Sequence, residues 1–94
     1  MDEVLQYSLS LFTRMMELVL KRNIDKGNSW ITCDSSYLHH KLKEEVHEYF
    51  TAPTDIHRMY ELIDIANICL FLFIRHTLTS TEGRFKHFVR GESI

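Results

Sequence analysis

A chain of 94 residues is enough for one small domain, and 45% apolar with 26% charged residues excludes a disordered tail. One Pro and three Gly leave too few turn residues for an all-β domain, so helices are the default. The formal net charge of −2 excludes the basic field that a nucleic-acid polymer calls for, though not a nucleotide held through metal ions.

Residues 2–22 read as the first helix, with Asp2 and Glu3 at its start and Lys21-Arg22 at its end, matching the helix dipole. Val4, Leu11, Met15 and Leu18 make one apolar stripe; Leu5, Leu9, Phe12, Met16 and Val19 make an adjacent one. So wide a face calls for two neighbours, within one bundle or across a subunit boundary, and its methionines read as core packing rather than pocket lining. Residues 23–34 break the periodicity, and Gly27-Asn28-Ser29 is turn chemistry. Trp30 beside it either caps the bundle or stands with Lys26 at the mouth of a site, for a base and a phosphate.

Residues 35–50 form the second helix, with Asp34, Ser35 or Ser36 as its N-cap and apolar spacing from Tyr37, Leu38, Leu42, Val46, Tyr49 and Phe50. Lys41 precedes Glu45 by four, a favourable helical pair. Taken alone, Lys41, Lys43, Glu44, Glu45 and Glu48 read as a solvated face. Ala52-Pro53-Thr54-Asp55 supplies a turn between antiparallel helices.

The third helix runs from about Asp55 to Thr79, capped by Thr54 or Asp55, and is apolar nearly all round from Ile56 to Ile74. Such a helix is central in its bundle or in a dimer interface. Yet Glu61, Asp64 and Asn67 interrupt the pattern on one side, at successive steps of three. Stranding a charge in poorly solvated surroundings costs several kcal/mol, so carboxylates there call for a partner. Over residues 80–94, Phe85, Phe88 and Val89 have the spacing of a short fourth helix; otherwise the segment is a tail.

Cys33 and Cys69 form no CxxC and are too few for a disulfide framework; Cys69, in an apolar stretch, is expected to be a buried small side chain. A reducing, cytoplasmic location is the expectation. No membrane association is expected: Ile65–Ile74 is half the length of a bilayer span, and Asp2 and Glu3 replace the basic start of a signal peptide.

The acids carry the chemistry. Glu45 and Glu48 stand three apart, as do Glu61 and Asp64, and twelve residues separate the pairs. Three residues turn a helix through about 300°, so each pair shares a face. A hairpin of helices two and three brings four carboxylates around one point, and hard oxygen ligands suit Mg²⁺, or Mn²⁺ as second choice.

Glu45-x-x-Glu48, twelve residues, then Glu61-x-x-Asp64 resembles the ExxE…ExxD signature of the MazG-like, all-α NTP pyrophosphatases. KLKEEVHEYF is similar to that family's Glu-Glu-Val helix, and ELIDIANICLFLF to its metal-binding helix and apolar run. Asp25-Lys26-Gly27-Asn28-Ser29-Trp30 is similar to a Lys-Gly-x-x-Trp loop of single-domain members. The resemblance covers roughly residues 15–75. It implies one all-α domain over 1–94, an antiparallel helical bundle completed by a homodimer or homotetramer. It also implies hydrolysis of a nucleoside triphosphate between the α and β phosphates, with Glu45, Glu48, Glu61 and Asp64 holding Mg²⁺. Lys26, Trp30 and Asn67 would then touch substrate, Asn67 orienting a ligand or a water. A fourth helix is either truncated or supplied by a partner subunit.

Two rivals stand beside this reading. Glu44-x-x-His47 is the unit of di-iron carboxylate bundles, but such sites need a second ExxH and none is present. The other is a non-enzymatic helical dimerisation or adaptor module whose acids form salt bridges, or an idle nucleotide binder. Lys or Arg partners facing the acids favour the module.

Overall fold

The computed structural model describes residues 1–23 and 33–80, and every regular element among them is an α-helix. These are α1 (Glu3–Arg22), α2 (Ser35–Thr51) and α3 (Asp55–Ser80). Lys26, Trp30 and the fourth helix or tail expected past Ser80 lie outside the described residues.

Local chemistry sets the boundaries. The Asp2 carboxylate accepts from the Leu5 N–H at 2.8 Å and caps α1, and Lys21 and Arg22 close its last turn. Asp34 caps α2 by accepting from Ser36 N–H at 3.1 Å. Thr54 Oγ1 accepts from His57 N–H at 3.2 Å at the start of α3. Between them, Ala52 leaves the helical region at φ −62°, ψ 137°, the extended backbone favoured before a proline, here Pro53.

α3 is the central element, packing most extensively on α2 and also on α1. Arg75 donates to the carbonyl of Cys33, and His76 stands near His39, so α2 and α3 run antiparallel with the α2 start against the α3 end. Leu38, Ile68 and Leu72 are buried there, with Cys33, Leu42 and Phe71 around them. At roughly 25 cal/mol per Å², each such side chain contributes about 2 kcal/mol. Ile63, 1% exposed, is the most completely buried of the described residues' apolar side chains and faces α1.

One expectation is corrected. Cys69 is exposed rather than buried. At about 100° per residue it shares a side of α3 with Leu62 and Phe73, which are exposed too. The broad apolar face of α1 was expected to meet two neighbours, within one bundle or across a subunit boundary, and this chain supplies one of them. In this chain it leans on α3, and none of its residues is buried. A 150 Å³ cavity lined by Phe12, Met15, Met59 and Leu62 opens between the two helices.

Candidate metal centre

Nearer the interhelical turn, the α2–α3 interface changes from apolar to acidic. Glu45 from α2 and Glu61 and Asp64 from α3 each bring a carboxylate oxygen within 4.8 Å of the others. Helical spacing places them there: Glu61 and Asp64 share one side of α3 a turn apart, and antiparallel pairing sets Glu45 opposite. Glu45 is 7% exposed, while Glu61 and Asp64 are half-buried. Glu45 Oε2 and Glu61 Oε2 are buried with no hydrogen-bond partner among the described residues.

The electrostatics follow from crowding. Burial, and then the Glu45 and Glu48 carboxylates, raise the Glu61 pKa from 4.5 to about 7. Burial and Glu48 raise Asp64 as well, against a downward pull from Lys41 and Arg22. Among the described residues one ammonium meets the trio directly: Lys41 Nζ lies 3.4 Å from Glu45 Oε1 and is shared with Glu44 Oε2 at 3.5 Å. One shared cation does not neutralise three carboxylates.

A carboxyl raised in this way weakens the fold with rising pH. Below about pH 4.5 both folded and unfolded states hold the Glu61 proton, and no difference arises. Between there and about 7 the unfolded chain ionises while the folded one keeps its proton, so stability falls through that window and stays lower above it.

Of the four acids expected to meet, Glu48 stands at the rim: it is exposed and outside the trio, yet its charge reaches Glu61 and Asp64. Glu44 is solvated, with His40 Nε2 at 3.2 Å. Asn67 is 5% exposed and ties α3 to α1, donating from Nδ2 to the Met16 carbonyl at 3.4 Å, while its Oδ1 lacks a partner among the described residues. Lys41 and Arg22 were not foreseen as part of the site's charge balance, although the i,i+4 spacing of Lys41 and Glu45 was a signal for the first.

The donor set fits a hard divalent cation. Three carboxylates supply anionic oxygen, and ligands at 2.0–2.6 Å from such an ion lie up to roughly 4–5 Å apart across it, which matches the 4.8 Å limit. No helix among the described residues is long and apolar enough to cross a membrane. No family model matches the chain, and neither a curated protein nor a solved structure matches it.

Proposed function

We propose that the protein is a Mg²⁺-dependent nucleoside triphosphate pyrophosphohydrolase of the MazG-like type. The observation that carries the reading is the trio of Glu45, Glu61 and Asp64, with two of its carboxylate oxygens buried and unpartnered. Such groups cost stability unless a cation takes them up. Glu45, Glu61 and Asp64 would hold the ion, Glu48 completing the set from the rim. Bound there, Mg²⁺ supplies charge neutralisation for phosphate oxygens and polarises the attacking water, as phosphoryl chemistry requires. The proton that water loses passes to bulk solvent. The water adds at the α phosphorus, the bond to the bridging α–β oxygen breaks, and monophosphate and pyrophosphate leave.

The test is product analysis over a panel of ribo- and deoxyribonucleoside triphosphates, with Mg²⁺ and with chelator. Metal-dependent release of pyrophosphate together with the monophosphate is expected. Orthophosphate as product would overturn the bond assignment.

The same reading includes a homo-oligomer, an antiparallel bundle completed by a second copy. Val4, Leu5, Leu11 and Phe12 of α1 and Met59 and Leu62 of α3 are all exposed, and a contiguous apolar face of this kind marks an interface. Light scattering is expected to give a multiple of 11.2 kDa, and Leu11→Glu with Leu62→Glu to return it to that value. A monomeric wild type would sink this part of the proposal alone.

The Lys41–Glu45 pair favours a second reading, a helical dimerisation module whose acids are ion-paired. It leaves the Glu61 carboxylate without a cation among the described residues, and it predicts neither turnover nor a rise in melting temperature with Mg²⁺.

A further inference from the structure

We infer that Lys41 is a resident counter-ion of the carboxylate trio, which a divalent cation must displace from Glu45 and which Glu44 then retains at the rim. The inference rests on the metal reading of this site and adds a competitor to it. Glu45 turns Oε1 to the Lys41 ammonium at 3.4 Å, while its Oε2 is buried and unpartnered. A cation gathering the trio has to take the charge of the same carboxylate, so ammonium and metal compete for it. Lys41 has a second partner within reach: Glu44 Oε2 lies 3.5 Å away. The two carboxylates differ in depth, Glu45 with 9% of its side chain exposed and Glu44 with 46%. Giving up the inner one therefore leaves Lys41 paired in water, beside the site and not expelled from it. The device keeps the metal-free site from holding three bare charges and sets the concentration at which metal enters.

The full-length, metal-free protein is titrated with Mn²⁺ alone, following the free-ion spin resonance signal. Lys41→Met is expected to bind Mn²⁺ about threefold to fivefold more tightly, the worth of a partly exposed ion pair. Glu44→Gln commits Lys41 to Glu45 and is expected to weaken binding about twofold, an effect that vanishes in the Lys41→Met background. Lys43→Met removes an exposed charge on the same helix and is expected to change affinity little. Lys41→Gln, melted alongside, gives a second folded variant. Unchanged or weaker binding in both Lys41 variants, or an equal gain in Lys43→Met, would overturn the counter-ion role. Absence of Mn²⁺ binding to the wild type is a separate result and overturns the metal reading beneath it.

Discussion

Glu61→Gln is expected to abolish metal-dependent pyrophosphate release, by at least about a hundredfold, while making the metal-free protein more stable at neutral pH. The two effects have one cause. The Glu61 carboxylate is crowded by Glu45 and Glu48 and partly buried, so the fold carries the cost of its charge once the pH passes about 7. The amide keeps the shape, removes the repulsion and offers Glu45 a donor. A gain of about 1 kcal/mol corresponds to roughly 4–8 °C in a domain of this size. The wild-type melting temperature in chelator should fall as pH rises from 4.5 to about 7, and Glu61→Gln should flatten that slope. Saturating Mg²⁺ should flatten it in the wild type. If the variant melts lower than wild type at pH 8 or above, Glu61 is a structural partner and the site reading fails.

Ile63→Ala is the second substitution with a large effect, and its damage lies on the other side of α3. Ile63 is 1% exposed and lines the cavity that already separates α1 from α3. Truncation removes packing at the floor of an open groove, and about 3–4 kcal/mol is expected. That is a large share of a small domain's stability, a drop of roughly 15–25 °C in melting temperature. Thermal melts with Mg²⁺ present would check it. A loss below about 1 kcal/mol would mean that α1 contributes little to the fold.

The helices were legible because their ends are written in local chemistry. Asp2, Asp34 and Thr54 each cap the helix that follows, and Pro53 marks the turn. Glu45, Glu61 and Asp64 were legible as a group because the i,i+3 spacing and an antiparallel hairpin leave little choice of partner. The rim position of Glu48 was not. It depends on how far α2 is rotated about its own axis, and a spacing argument fixes that only to within a residue. The exposure of α1 and Cys69 was equally hidden. Periodicity shows which side of a helix is apolar, not whether the same chain supplies its cover. Asn67 was expected beside the acids, whereas its bond to the Met16 carbonyl depends on the approach of α1, which no local signal records.

The short span of chain that carries the trio has a kinetic consequence. Glu45 and Glu61 are sixteen positions apart, with the Pro53 turn between them. A cation held by both would close a loop of that length, and closing so small a loop costs little chain entropy compared with a long-range contact. Ions present while the chain is still finding its shape would therefore act as a clasp at the turn. Pairing could then zip outward toward Leu38 and Leu72, before the N-terminal helix has docked.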